Sequence, residues 1–170
     1  MKASVVFLMM FILGYPGCSG IKDHNINDCP KIKNPDDFAE EVFDVCNKSM
    51  TRLYLLVGGM PDINDSIRYE VKLIRDQAIE ELVYLGKARE KMNKPAREGC
   101  SEKLKQKLPM IRRSASAGLL DVAVPHYRAI DISFANELDA FSRLEIYAQF
   151  ELLREQLPEE AKRLGISKPD

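Results

Sequence analysis

The sequence predicts an all-α protein, and three features carry that reading. Apolar residues recur at three-and-four spacing through most of the chain, turn and cap residues separate the stretches that show it, and no useful length alternates with period two. The links between these stretches, at 58–61, 93–95 and 123–124, are short. Short links make successive helices antiparallel, so the predicted architecture is an up-down-up-down four-helix bundle with a kinked third arm and a short C-terminal tail helix. An up-up-down-down arrangement needs two long crossovers, and the links leave no room for them.

Taken in order, residues 1–20 read as a secretory signal peptide: Lys2, an apolar run from Val5 to Leu13, then small and turn-forming residues to Gly20. The run is too short to span a bilayer, and no later stretch qualifies as a membrane anchor. Residues 21–33 form a polar leader that carries His24 and Cys29, and 34–170 form one helical domain. Asn34-Pro35-Asp36-Asp37 marks a helix start, with an N-cap, a proline in the first turn and acids at the positive end of the helix dipole. The first helix carries Phe38, Val42, Val45, Cys46, Leu53 and Leu56, and stops at Gly58-Gly59. The second begins near Asp62 or Asn64, carries Ile67, Val71, Ile74, Ala78, Leu82, Leu85 and Met92, and ends at Asn93-Lys94-Pro95.

The third arm is read as two stacked pieces, because Pro109 interrupts the stripe formed by Ala96, Cys100, Leu104 and Leu108, and Gly118 loosens the second piece. From Pro125 to Leu157 there is neither Gly nor a further Pro, which predicts one long helix of about 50 Å, facing inward through Ile130, Phe134 and Leu138. After Pro158 a tail with Ala161 and Leu164 ends at Gly165. Within the long helix, Phe141, Leu144, Ala148 and Leu152 fall on one side, and Ile146, Phe150, Leu153 and Leu157 roughly opposite, at 100° per residue. One core does not cover both. Either the tail folds back over the second stripe, or Ile146, Phe150, Leu153 and Leu157 bind a partner.

Without residues 1–20 the chain keeps 24 of its 25 Lys and Arg and all 26 Asp and Glu, a formal charge of −2 that argues against a general nucleic-acid binder. The charge is unevenly placed: Gly86 to Arg113 holds ten basic and three acidic residues, Asp131 to Glu160 eight acidic and two basic. Lys103, Lys105, Lys107, Arg112 and Arg113 form a candidate patch for an anionic ligand, unless the acidic 131–160 segment neutralises it within the fold. Arg112-Arg113 also reads as a dibasic processing site.

The equipment for catalysis is sparse. With only His24 and His126, the sequence offers no zinc-ligand spacing and no Glu-x-x-His pair for a bundle metal site, and it has neither a nucleophile elbow nor a phosphate loop. Catalytic residues, metal ligands and cofactors are therefore not assigned, and the chain is read as non-enzymatic. Three cysteines remain beyond residue 20. Cys46 and Cys100, on apolar faces of the first and third helices, are the preferred disulfide, with Cys29 left over. Asn64-Asp65-Ser66 and Asn47-Lys48-Ser49 satisfy the N-glycosylation rule, Asn64 at an accessible helix start and Asn47 in mid-helix.

The leading functional reading is a secreted helical protein that acts outside the cell on a protein partner, as an effector, venom component or hormone-like ligand. A carrier of a fatty acid or other small apolar ligand is the alternative, and a precursor cut at Arg112-Arg113 is the third.

Overall fold

Asparagine caps open the first three helices. In the computed structural model, which describes residues 32–166, the side chains of Asn34, Asn64 and Asn93 accept hydrogen bonds from the backbone N–H groups of Asp37, Ile67 and Ala96 at 2.9, 3.0 and 3.0 Å. Each satisfies a donor that the first turn of a helix leaves open. These caps begin α1 (Pro35–Val57), α2 (Asp65–Glu90) and α3 (Lys94–Arg112). Asn93, read from the sequence as part of a helix end, also starts the next helix. After these come α4 (Ala115–Arg128), α5 (Ile132–Asp139), a 3-10 segment (Ala140–Ala148), α6 (Phe150–Gln156) and α7 (Pro158–Arg163). Among the described residues the protein is all-helical, with no strand. The signal-like residues 1–20 and the leader up to residue 31, with His24 and Cys29, lie outside the described residues.

The chain leaves α1 by a turn that the glycines do not explain. Gly58 keeps right-handed helical angles and donates to the Tyr54 carbonyl at 2.8 Å, and the left-handed residue is Met60, with φ 50°. Side-chain contacts then set the course of the helices. Arg52 donates to Gln77 at 2.6 Å and Lys48 lies 3.8 Å from Glu81, so α2 descends along α1. Gly99 lies beside Pro35, Lys103 pairs with Asp36 at 2.8 Å and Lys107 with Glu40, so α3 rises in the same direction as α1.

The predicted long helix from Pro125 is corrected by the structure. Pro125 lies inside α4, which runs on to Arg128, and the expected link at 123–124 is helical with Ala123 and Val124 buried. The turn falls after Arg128, where the N–H groups of Ile130 and Asp131 both donate to the Tyr127 carbonyl. Ile130, expected to face inward, is 65% exposed, whereas Phe134 and Leu138 are fully buried. Asp131 then caps α5, accepting from Phe134 N–H at 3.0 Å.

From Ala140 to Ala148 the chain winds as a 3-10 helix, broken at Arg143 (φ −131°, ψ 22°), and Gln149 (φ −123°, ψ 85°) breaks it again before α6. A 3-10 turn advances each residue by about 120° where an α-helix advances it by about 100°. The breaks at Arg143 and Gln149 end the constant phase on which the two stripes diverge, and both stripes meet one core. Phe141, Leu144, Ile146, Ala148, Phe150 and Leu153 are all buried. At Leu157 the chain leaves the helical region (φ −135°, ψ 61°) before Pro158 opens α7. The tail packs on the same core through Ala161 and Ile166, and closes with Gly165 (φ 69°) and the bonds Gly165 N–H to Lys162 O and Ile166 N–H to Ala161 O.

Two joints hold the end of α2 to this last segment. Gly86 leaves room for the Phe150 ring: a Cβ placed there would lie 2.5 Å from its Cε1 and 2.8 Å from its Cζ. One turn on, Arg89 is 4% exposed and donates to Glu151 at 2.7 Å, to Ser101 Oγ at 3.0 Å and to the Arg97 carbonyl at 3.3 Å. In an ordinary helix, Gly to Ala stabilises by about 1 kcal/mol. Here Gly86→Ala is expected to destabilise by about 1–3 kcal/mol through overpacking. The double variant with Phe150→Leu should recover most of the loss in urea titrations, and additive losses would show that the two sites do not touch.

The acid limb of stability follows from the paired carboxyls. Burial is the largest single influence on the Glu151 carboxyl and raises it, but the Arg89 hydrogen bond, a backbone N–H and the charges of Arg89 and Arg154 together outweigh it, so the group sits below its ordinary 4.5. Asp131 is held below 3.8, first by the Phe134 N–H and then by Arg68. A carboxyl depressed in the folded state stabilises fully above its unfolded pKa, and that contribution is lost as pH falls through the folded value. Thermal unfolding should therefore show stability declining below about pH 4.5, with Glu151→Gln about 1 kcal/mol less stable than the parent at pH 7 and the gap narrowing as the carboxyl is protonated at lower pH.

Candidate functional site

A cavity of about 460 Å³ opens where two irregularities, the break between α3 and α4 and the kink at Arg143, face the middle of α1. Its floor is Cys46, Met50 and Phe141, all buried. Leu108, Ile111 and Leu120 form half-buried walls. Asp121, Ser142 and Arg143 stand exposed at the rim with Glu145 half-buried among them. The volume lies within the range of about 300–1,000 Å³ that small-molecule sites occupy, and the arrangement of apolar body and few polar groups is theirs as well. Ser142 donates to the Asp139 carbonyl at 2.7 Å, which holds the rim in place at the start of the 3-10 segment.

Cys46 is the one cavity residue that the sequence singled out for a chemical role, and that role is corrected. Cys46 and Cys100 are both buried free thiols. Because Gly99 sits beside Pro35, Cys100 lies near the start of α1, while Cys46 is eleven residues further along it, about 16 Å on. A disulfide needs Cα atoms within about 7 Å. Cys100 instead lies 3.6 Å from the Met92 sulfur. Burial, and then the nearby Glu145 carboxylate, push the Cys46 thiol up to about 12.

The stripe expected to bind a partner is also placed inside. Ile146 and Phe150 are 5% exposed, Leu153 is fully buried, and Leu157, half-buried, packs against the core, so the stripe offers little surface while the chain is folded. Of the basic patch, Lys103 and Lys107 are paired with Asp36 and Glu40, and Lys107 also lies over the Phe43 ring. The acids that neutralise them belong to α1 and not to 131–160, whose Asp131 and Glu151 pair with Arg68 and Arg89 of α2. Lys105 lies 3.9 Å from Glu102, Arg113 is exposed in the break after α3, and the side chain of Arg112 lies outside the described residues.

Asn64 is exposed, and its cap uses Oδ1, which leaves the amide nitrogen to which a glycan would attach. Asn47 is half-buried, and Ser49, the hydroxyl of its sequon, is buried. His126 is exposed in the last turn of α4, edge-on to Tyr127. Among the described residues no group of three or more His, Cys, Asp or Glu is placed to hold a metal ion, and no helix is long and apolar enough to cross a membrane.

A second surface is not foreshadowed by any pattern in the sequence. Tyr54 and Leu55 at the end of α1, Tyr69 near the start of α2, and Val122, Ile130 and Ile132 about the α4–α5 corner are large apolar residues left exposed, Leu55 at 78%. These segments meet at one end of the molecule, where the Tyr127 hydroxyl donates to the Pro61 carbonyl at 2.9 Å and Arg68 pairs with Asp131. Compared with protein-family models, curated proteins and solved structures, the chain matches none.

The thiols give a direct check of the interior. Mass-tag labelling with a maleimide at pH 8 should leave Cys46 and Cys100 unmodified in the native protein and label both in urea without reductant. Labelling in urea only after reduction would mean that they are oxidised.

Proposed function

We propose that this is a non-enzymatic helical binding protein that carries a small apolar ligand in the cavity between α1, α3, α4 and the 3-10 segment. In this reading it works outside the cell, as the signal-like N-terminus implies. The observation that carries it is the open cleft itself, which has a buried apolar floor and a polar mouth. The arms around it are proposed to run up-down-up-down. The courses of α2 and α3 along α1, and the pairing of Arg68 with Asp131 and Arg89 with Glu151, support that order.

A second reading, favoured by the exposed apolar end, is a contact with a protein partner through Leu55, Tyr69, Ile130 and Ile132. It takes over the role first given to Ile146 and Phe150.

The carrier is tested with N-phenyl-1-naphthylamine, an apolar dye that brightens when it leaves water. The dye should bind one per chain, and Leu120→Trp, which fills the cavity from its wall, should weaken binding about tenfold or more without loss of helical signal. Equal binding by the parent and the filled variant would overturn the assignment to this cavity.

A further inference from the structure

Of the two N-glycosylation sequons, the fold leaves one open and closes the other. Asn64-Asp65-Ser66 lies where the turn after α1 enters α2, and all three residues are exposed. Asn64 has extended backbone (φ −135°, ψ 173°), outside the helix that it caps. Asn47-Lys48-Ser49 lies in the middle of α1 instead, with Asn47 half-buried, Ser49 5% exposed, and the neighbouring Cys46 and Met50 in the core. A glycan is bulky and stays in water, so its acceptor must point out of the packed chain. Asn64 meets that condition and Asn47 does not.

The cap at Asn64 is compatible with a sugar. Its Oδ1 accepts the Ile67 N–H at 3.0 Å, and Nδ2 takes no part in that bond. An N-linkage uses the nitrogen alone, so Oδ1 goes on capping α2 after transfer. Asn64 precedes Arg68 by one helical turn, and Arg68 pairs with Asp131, which places a glycan at the end of the molecule that carries Tyr69, Ile130 and Ile132. The exposed apolar side chains there gain a hydrated neighbour.

Resting on the reading that the protein works outside the cell, we infer that Asn64 is an N-glycosylation site and that Asn47 is not. The donor is an oligosaccharide joined through its anomeric carbon to a lipid diphosphate. Asn64 Nδ2 bonds to that carbon as the bond from the carbon to the diphosphate oxygen breaks. The diphosphate leaves with the electron pair, the amide gives up one of its two protons, and nothing is oxidised or reduced.

The test expresses the full chain in cultured animal cells and separates medium from cells. Mass spectrometry is read before and after peptide-N-glycosidase, which removes an N-glycan and leaves an Asp at the position that carried it. The secreted parent should lose one glycan, with the mark falling on position 64. Asn64→Asp, which keeps a capping oxygen, and Ser66→Ala, which leaves the cap untouched, should both be secreted without sugar, and Asn47→Gln should be glycosylated as the parent is. A secreted parent that carries no glycan, or that is marked at position 47, would overturn the inference and leave the extracellular reading standing. A chain that stays in the cells and carries no sugar would overturn both.

Discussion

The buried guanidinium of Arg89 is the constraint on which the lower half of the molecule depends. Its donors reach Glu151 beyond the break into α6, and Ser101 and the Arg97 carbonyl in the first turns of α3, from the last turn of α2. Its Nε has no hydrogen-bond partner, and Glu90, an ion-pair neighbour at 3.6 Å, leaves Oε1 without one as well. Burying a charge is expensive unless it is paired, so a register of α3 or α6 that moved these acceptors away would strand the guanidinium. Arg89 therefore works by penalising the alternatives more than by adding stability to the native packing.

That requirement passes back along the segment from Asp131 to Glu151. Glu151 must face Arg89 and Phe150 must face Gly86, which fixes the phase of α6. At the other end Asp131 must face Arg68 while its backbone-directed oxygen caps α5, which fixes the phase there. The two anchors lie 21 residues apart in α2, about 31 Å along its axis, and 20 residues apart in the arm that runs beside it. The arm keeps the length of a helix, but a single α-helical phase does not serve both ends and bury both stripes. The change of phase is absorbed at Ala140–Ala148, where the winding tightens, and at Arg143 and Gln149, where it breaks.

This explains which parts of the fold were legible in the sequence. Caps and stripes are local, so Asn34, Asn64, the inward faces of α1 and α2, and the end at Gly165 can be read directly. Pro125 misleads because a proline favours a helix start, yet here it lies inside α4, where the buried Val124 and Tyr127 hold the helix together around it. Ile146 and Phe150 mislead for a different reason. Their exposure was deduced from a constant 100° per residue, and long-range anchors changed that angle. Gly86 and Arg89 were hidden in plain composition, one a lone glycine in a helix and the other a member of a basic run.

The cavity belongs to the same class of information. Leu108, Ile111, Leu120 and Phe141 have the spacing of ordinary core residues, and nothing local separates a residue that lines a hollow from one that fills a core. The cleft lies where the kink at Arg143 faces the break between α3 and α4, with Arg143 exposed and Phe141 and Leu144 inside. A continuous α-helix through 140–148 would place Ile146 and Phe150 on the far side from Phe141, and the contacts at Gly86 and Arg89 would be lost together. The irregular segment that buries the second stripe is thus the one that builds the mouth of the site. Asp121 is the trace of it that the sequence does carry, the single acid of α4. Its meaning depends on Arg143 and Glu145 arriving beside it from a later arm of the chain.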